Sequence, residues 1–284
     1  MNNGYLADNT KLVMDRYGFT ASKRFGQNFI RDRKVLEDIV RASGLTDEEA
    51  VVEIGPGIGV LTEFLAEAAD HVYAVEVDRK LIPILHETLS GYDNISIINQ
   101  DIMKTDLNAL TGGRSFRIVA NLPYYITTPI IMGLLESKVH CKSLTVMVQK
   151  EVGERMTADP GSKSYGALSL AVRYRTRAAI VRQVPAACFI PSPKVDSVVV
   201  HMETYDQPAV TVTDEALMFD IIRGAFNQRR KTLANALAGY AGINLEKERI
   251  AQAIEAIGAK PAVRGEELSL EDFAKLTDHI HKFL

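Results

Sequence analysis

Short apolar runs alternate with helical periodicities along the first two thirds of the chain. The runs predict buried strands, and apolar residues spaced three and four apart predict the helices between them. The predicted strands are 51–54, 71–75, 95–98, 118–120, 144–148, 178–184 and 197–202. The predicted helices are 33–43, 60–69, 79–89, 129–136, 151–158 and 165–174. This alternation indicates an α/β fold with a mostly parallel sheet covered by helices on both faces.

The pattern changes towards the end of the chain. Strands 178–184 and 197–202 have no helix between them and are joined by a proline-rich loop, which predicts an antiparallel hairpin at one edge of the sheet. After Pro208 only helical patterns remain, over 214–226, 231–240, 246–257 and 269–283. We therefore expect an α/β domain over residues 1–208, with a basic N-terminal arm, and a small all-α domain over residues 209–284.

Composition narrows the class of protein. Hydrophobic residues make up 46% of the chain and charged residues 24%, which is typical of a soluble globular protein. No segment has the length of a transmembrane helix, and the first ten residues lack the apolar core of a signal peptide. Cys141 and Cys188 stand far apart, and the histidines lack metal-ligand spacing. We expect a cytoplasmic protein without disulfides, metal or membrane contact.

The charge distribution is more informative than the net charge of −3. Seven basic and two acidic residues lie between Lys11 and Lys34, whereas acidic residues outnumber basic ones by fifteen to five over 35–115. Two further basic clusters consist of Lys163, Arg173, Arg175, Arg177 and Arg182, and of Arg223, Arg229, Arg230 and Lys231. Such segregation can present a basic face to phosphates, although each single cluster is also compatible with an ordinary solvated face.

A glycine-rich turn, residues 55–59, follows the first strand of the predicted sheet. Its glycines allow the backbone to approach a ligand closely before the next helix begins. Val60 occupies the position at which the dinucleotide-binding pattern would place its last glycine. The turn therefore predicts a nucleoside-containing ligand but fits NAD poorly.

Acidic residues lie in or directly after the first three predicted sheet strands. Glu76 lies about 20 residues after the first glycine of the turn, where an acid binds ribose hydroxyls. Asp101 can accept a hydrogen bond from an adenine amino group. Together with Glu53 these acids would repel a pyrophosphate but tolerate a sulfonium cation that carries adenosine. The site therefore favours S-adenosylmethionine, and the alternative is a glycine turn with coincident surface acids.

The segment Asn121-Leu122-Pro123-Tyr124, called the Asn121 motif below, follows a buried predicted strand. Thr128 and Pro129 predict the N-cap and the first residue of the next helix. Ligands of open α/β sheets bind where strands end in this way. By itself, the segment fits an ordinary strand-to-helix turn slightly better than a ligand site.

The Asn121 motif has the groups needed to activate an exocyclic adenine amine. The Asn121 side-chain carbonyl and the Leu122 backbone carbonyl can accept its two hydrogens, and Pro123 fixes the turn. Tyr124 can stack on the base, and Phe189 can close its other face or be a core aromatic residue. Because a base within a duplex cannot enter such a pocket, the substrate should be single-stranded, looped or flipped.

Five motifs together resemble those of the rRNA adenine N6-methyltransferase family, and in particular its bacterial 16S rRNA adenine N6,N6-dimethyltransferases. They are Gly-Gln-Asn-Phe-Ile at 26–30, Glu-Ile-Gly-Pro-Gly-Ile-Gly at 53–59, Asn-Leu-Pro-Tyr at 121–124, Phe-Ile-Pro-Ser-Pro-Lys-Val-Asp-Ser at 189–197 and Phe-Asn-Gln-Arg-Arg-Lys-Thr-Leu at 226–233. The resemblance extends from about residue 10 to the C-terminus. It implies a Rossmann-like class I S-adenosylmethionine-dependent methyltransferase domain. The implied activity is dimethylation of two adjacent adenines in the 3′-terminal hairpin of 16S rRNA, with a role in 30S biogenesis.

The resemblance and the residue patterns together give a set of expected contacts. The expected cofactor contacts are Asn28, Ile30, Glu53, Gly55, Gly57, Glu76, Asp101, Ile102 and Asn121. The expected target-base contacts are Asn121, Leu122, Pro123, Tyr124 and Phe189, and the expected RNA contacts are Lys23, Arg24, Arg229, Arg230 and Lys231. The chain departs from the family pattern at Tyr125, where many members have Asn, and at Ile30, where many have Leu.

Two other functions fit much of the same sequence. One is that of an Erm-type 23S rRNA adenine N6-methyltransferase, which shares the cofactor and Asn121 motifs. The basic stretch 228–231, which lies within the motif at 226–233, favours the 16S enzyme. The other is a mainly non-catalytic ribosome-assembly factor, against which the intact Asn121 motif argues. We expect a monomer whose partner is 16S rRNA in the 30S subunit or its precursor.

Overall fold

Seven strands form one mixed sheet in a computed structural model, which describes residues 6–18, 27–137 and 141–284. The strands of the described residues are β1 (Phe29–Ile30), β2 (Ala50–Ile54), β3 (His71–Glu76), β4 (Ile95–Asn99), β5 (Phe116–Asn121), β6 (Cys141–Gln149), β7 (Thr176–Val184), β8 (Phe189–Ile190) and β9 (Ser197–Thr204). Their order in the large sheet is β4-β3-β2-β5-β6-β9-β7. Neighbouring strands from β4 to β6 are parallel and β9 is antiparallel to β6. The predicted α/β fold class is confirmed.

Each predicted helix is present to within a few residues of its predicted bounds. The helices of the described residues are α1 (Leu6–Arg16), α2 (Arg33–Ser43), α3 (Val60–Ala66), α4 (Ile82–Thr88), α5 (Leu107–Leu110), α6 (Thr127–Glu136), α7 (Lys150–Met156), α8 (Ala167–Arg175), α9 (Glu215–Asn227), α10 (Leu233–Ala238), α11 (Lys247–Ala256) and α12 (Leu270–His281). Sequence patterns did not predict α1 or α5. Within the described residues, no helix has the length and apolar character needed to span a membrane.

Local sequence explains where the better-defined helices begin and end. The Asp32 carboxylate accepts hydrogen bonds from two backbone amides in the first turn of α2, and Gly44 ends that helix with φ 62°. Ser269 and Asp272 form a capping box at the start of α12. In contrast, α6 begins at Thr127 without a side-chain cap, so the predicted N-cap at Thr128 was wrong.

The register of the central strands brings the predicted site residues to one edge of the sheet. Ile54 pairs with Val75 of β3 and with Ala120 of β5, so the three strands end side by side. Every residue of β2 is buried, as expected for a parallel strand covered on both faces. The glycine turn, Glu76 and Asn121 therefore lie at the same carboxyl edge.

A second sheet, absent from the sequence predictions, consists of only two short strands. Phe29 of β1 pairs with Ile190 of β8, and Ile30 pairs with Phe189, in antiparallel orientation. Phe29, Ile30 and Phe189 are buried in the apolar cluster that also contains residues of α2 and α3. The pairing fixes the N-terminal segment, residues 27–30, to a loop that is distant in sequence.

The chain divides into two compact units at boundaries that differ from the predicted one at residue 208. The sheet unit contains the described residues up to Gly153 together with Ala178–Thr204, and the helical unit contains Glu154–Arg177 and Tyr205–Leu284. Residues 154–177, which the sequence patterns placed in the α/β domain, therefore belong to the helical unit. The reason is packing: Tyr174 of α8 lies in the same apolar cluster as α9, and its ring contacts the Phe219 ring edge-on with 5.4 Å between the ring centroids.

Candidate active site

Every expected cofactor residue lines one cavity at the carboxyl edge of the sheet. Asn28, Ile30, Glu53, Gly55, Gly57, Glu76, Asp101, Ile102 and Asn121 are all present in its wall. The rest of the Asn121 motif lines the same cavity. Its volume is about 1140 Å³ when the space open to solvent at its mouth is included.

Position 57 of the glycine turn tolerates only glycine. Its φ of 66° lies in the left-handed region, and a Cβ there would lie 2.8 Å from Cε1 of Phe29. The aromatic ring of the N-terminal segment therefore packs directly against the turn. This close packing connects the segment that carries Asn28 and Ile30 to the turn that would receive the cofactor.

Glu76 stabilises the glycine turn from the neighbouring strand. One of its carboxylate oxygens accepts a hydrogen bond from the Gly57 amide at 3.2 Å, and the other accepts one from the Asp78 amide at 2.8 Å. Burial raises the pKa of Glu76, whose side chain is almost fully enclosed. Each carboxylate oxygen can accept a second hydrogen bond, so the capacity to bind ribose hydroxyls is retained.

Glu53 is buried in the cavity wall, with 1% of the residue exposed. Its Oε2 atom has no hydrogen-bond partner among the described residues. Burial raises the pKa of Glu53 to about 8, and the nearby Glu76 carboxyl acts in the same direction. Glu53 is therefore largely neutral at pH 7, which weakens its part in the charge argument but leaves a buried polar atom that suits a polar ligand group.

Asp101 and Ile102 occupy the part of the wall next to the end of β4. One Asp101 carboxylate oxygen accepts a hydrogen bond from the Met103 amide at 3.0 Å and so caps a short helical turn at Ile102–Lys104. This bond fixes the direction of the side chain. The Ile102 side chain provides an apolar surface on the same wall.

Asn121 is held by a carbonyl of the N-terminal segment. Its side-chain nitrogen donates a hydrogen bond of 2.9 Å to the Asn28 backbone oxygen. The opposite amide orientation would place two acceptors against each other, so the bond fixes which amide atom is the oxygen. The Asn121 carbonyl is thereby directed away from Asn28, as an acceptor for another group.

The backbone of the Asn121 motif is fixed at both ends. The Leu122 amide donates to the Met147 carbonyl of β6 at 3.1 Å. The Pro123 carbonyl accepts hydrogen bonds from the Ile126 amide at 3.2 Å and the Thr127 hydroxyl at 2.9 Å. The turn is therefore preorganised in the absence of a ligand.

The two predicted aromatic walls differ in position. Tyr124 is half-buried and lines the cavity, and its hydroxyl lies 2.6 Å from the Ser197 hydroxyl. Phe189 is 2% exposed and packs in the core beside its strand partner Ile30, and it is not part of the cavity wall. A stacking role for Phe189 stays a prediction, and the structure favours its alternative as a core aromatic residue.

The expected RNA contacts are only partly described. Lys23 and Arg24 lie outside the described residues. Arg229 pairs with Glu266 at 3.0 Å and donates to the Lys163 and Tyr165 carbonyls, so it has a structural role in the helical unit. Arg230 and Lys231 are exposed. No group of potential metal ligands is present in the described part of the chain.

Gln27, Asp78 and Ser197, which the predicted contact sets omit, also shape the site. The Gln27 amide donates to the Asp78 carboxylate at 3.2 Å and attaches the N-terminal segment to the loop after β3. The Ser197 hydroxyl contacts the Tyr124 hydroxyl. Gln27 lies in the motif at 26–30 and Ser197 in the motif at 189–197, so these motifs contained a signal for both residues, whereas Asp78 lies in no motif.

Comparisons with known proteins agree on one family. The model of the family described as "Ribosomal RNA adenine dimethylase" matches residues 18–282. A Lachnoclostridium phytofermentans protein named ribosomal RNA small subunit methyltransferase A is 53% identical over 283 residues, which cover 97% of this chain and 98% of that protein. The Streptococcus pneumoniae protein of the same name is 48% identical over 275 residues, with 95% of each chain covered.

Solved structures agree with these sequence matches. A dimethyladenosine transferase from Plasmodium falciparum has a TM-score of 0.71 and 26% identity, and the match covers 87% of this chain and 95% of that one. The 23S rRNA methyltransferase ErmE has a TM-score of 0.69 and 25% identity, with 89% and 99% covered. Because a 23S rRNA methyltransferase shares the fold, the fold by itself does not identify the substrate of this chain.

The buried carboxyl of Glu53 predicts a specific pH dependence of stability. Between pH 4.5 and 8 the unfolded chain loses a proton that the folded chain keeps, so this residue's contribution to the free energy of unfolding falls as pH rises. We expect Glu53→Gln to gain roughly 1–4 kcal/mol relative to the wild type over this window. Urea unfolding at several pH values would measure the difference. Glu48→Gln, at an exposed position, is the control. The prediction is contradicted if the difference in the free energy of unfolding between Glu53→Gln and the wild type stays constant over this pH range, as it should for Glu48→Gln.

Proposed function

The chain belongs to the ribosomal RNA adenine dimethylase family, and from that premise we propose that it dimethylates N6 of two adjacent adenines in the 3′-terminal hairpin of 16S rRNA. S-adenosylmethionine is the proposed methyl donor. The observation that carries the proposal is the fixed Asn121 amide, which lies in the wall of the cavity that the expected cofactor residues line. A group that accepts hydrogen bonds from an amine is what N6 transfer requires.

The proposed mechanism depends on preorganised acceptors. The lone pair of adenine N6 is delocalised into the ring, and acceptors directed at both amine hydrogens favour the pyramidal form in which that pair is available. The Asn121 side-chain oxygen and the Leu122 carbonyl supply the acceptors, and the hydrogen bonds of the turn hold them in place. Since these dipoles are fixed before the substrate enters, they need little reorganisation during transfer.

The cavity wall fits the proposed cofactor. When bound, S-adenosylmethionine supplies an electrophilic methyl group on a sulfonium centre. Glu76 and Asp101 would accept hydrogen bonds from the ribose and the adenine, and Glu53 has a buried oxygen that lacks a donor. Phe29 packs on the glycine turn. The backbone of the turn, which precedes a helix N-terminus, would then lie close to the bound cofactor. The alignment of the adenine amine with the methyl group would then contribute more to the rate of transfer than a strong base.

The names of the relatives support the small subunit as the substrate. Relatives that share about half of their residues with this chain over nearly its whole length are named for the small subunit. We propose that the protein acts as a cytoplasmic monomer on the 30S particle or its precursor. The sheet unit would carry out the chemistry, and the helical unit, with exposed Arg230 and Lys231, would contact rRNA phosphates.

Labelling of ribosomal particles tests the proposal directly. We expect radiolabelled S-adenosylmethionine to label 16S rRNA in 30S particles that lack dimethyladenosine, and mass spectrometry to place the label on two adjacent adenines. The 50S particle, incubated in parallel, is the control. Label confined to 23S rRNA would instead support an Erm-type activity. Stable binding to precursor particles without any transfer would support a non-catalytic assembly factor.

Asn121→Ala should abolish transfer while the protein still binds its cofactor. Loss of one preorganised group that acts on the reacting atoms typically costs about 10²–10³-fold in kcat. Cofactor affinity should fall far less than kcat, because the glycine turn and Glu76 are left intact and only the Asn121 contacts, including its hydrogen bond to Asn28, are lost. Tritium transfer and isothermal titration calorimetry measure the two quantities. Asn244→Ala, at an exposed position in the helical unit, is the matched control. Near-wild-type turnover of Asn121→Ala would refute the mechanism.

Glu76→Gln should instead weaken cofactor binding. The change replaces one carboxylate oxygen with a nitrogen that cannot accept from the Gly57 or Asp78 amide, and it removes an acceptor for ribose. We expect S-adenosylmethionine to bind about 10-fold or more weakly by calorimetry, which corresponds to one lost charged hydrogen bond. Glu48→Gln serves as the control, and an unchanged dissociation constant for Glu76→Gln would exclude the proposed ribose contact.

A further inference from the structure

A hydroxyl pair connects the Asn121 motif to the far strand β9. The Tyr124 hydroxyl lies 2.6 Å from the hydroxyl of Ser197, which is completely buried at the first position of β9. We infer that Ser197 is a positioning residue that fixes the location of the Tyr124 ring on which the target adenine stacks. The inference rests on the proposed function and adds to it a residue that does not itself contact the substrate.

Ser197 is a rigid point of attachment. Its backbone pairs with Gln149 of β6, and the next residues of β9 are fully buried in the sheet. The preceding residue, Asp196, accepts hydrogen bonds from the Lys150 amide at 3.0 Å and from the Ala186 amide at 2.9 Å. The Ser197 hydroxyl therefore has little freedom to move, and neither does a group bonded to it.

The hydroxyl contact adds a second fixed point to the Tyr124 side chain. Hydrogen bonds to the Pro123 carbonyl fix the backbone beside it, and the contact with Ser197 holds the far end of the ring. Rotation about the Cα–Cβ bond would displace the phenol oxygen and break this contact. Stacking needs a ring at a defined location, and displacement of a reacting amine by about 1 Å can cost a large part of the rate.

The same contact excludes another role for Tyr124. Burial raises the pKa of its phenol, so the hydroxyl is protonated at neutral pH. Its oxygen is already engaged with Ser197. The ring therefore offers its face to the base, and its oxygen does not act as a general base for N6.

The first test is the rate of transfer by Ser197→Ala. We expect the single-turnover rate on 30S particles to fall about 10-fold at saturating substrate, as for loss of one buried hydrogen bond. The KM for 30S particles and the cofactor affinity should stay within about 2-fold of wild type, because no substrate contact is removed. Ser143→Ala is the matched control: this serine is also buried, on β6, and its hydroxyl accepts from Arg117 at 3.0 Å. It should lose stability but keep its rate.

The second test separates positioning from a general structural effect. Tyr124→Phe keeps the ring and removes the same hydrogen bond, so it should slow transfer to a similar extent. The double variant Ser197→Ala/Tyr124→Phe should be no slower than Tyr124→Phe. Multiplicative effects would show that Ser197 acts independently of Tyr124 and would overturn the inference, as would a wild-type rate for Ser197→Ala. Failure of the wild-type protein to label 30S particles would instead overturn the proposed function itself, and the inference with it.

Discussion

The hydrogen bond from the Asn121 side chain to the Asn28 carbonyl is the interaction on which the rest of the site depends. It joins the end of β5 to the N-terminal segment, and it determines the atom that Asn121 presents to the cavity. The same segment packs Phe29 on Gly57 and attaches Gln27 to Asp78. A segment of four residues therefore contacts the acceptor for the base, the glycine turn and the loop after β3.

Two neighbouring buried acidic groups of the cavity wall are stabilised differently. Glu76 accepts hydrogen bonds from two backbone amides and thereby stabilises the turn that a cofactor would contact. One Glu53 oxygen has no partner among the described residues, and the raised pKa of Glu53 reflects the cost of its burial. A ligand group that forms a hydrogen bond with this oxygen would relieve this cost. The free energy of ligand binding would then include that relief.

The sequence predicted the parts of the structure that depend on local pattern. Continuous apolar runs identify parallel strands, and the residues that follow them are brought together by the parallel register, as Glu76 and Asn121 are. The pairing of β1 with β8 was missed because strands of two residues have no periodicity. The assignment of α8 to the helical unit was missed because an apolar helix face does not indicate which core it joins. The Tyr124–Ser197 contact depends on strand order, which local patterns do not determine.

The pairing of β1 with β8 also has a consequence for synthesis of the chain. Ile30 leaves the ribosome early, whereas its partner Phe189 emerges only after β2 to β7 have been made. Contacts between residues so distant in sequence form late, because a long loop must close first. The N-terminal segment that orients Asn121 therefore reaches its place only when most of the polypeptide is complete. A truncated nascent chain that ends before β8 would contain the glycine turn and the Asn121 motif but would lack the strand that holds the N-terminal segment over them.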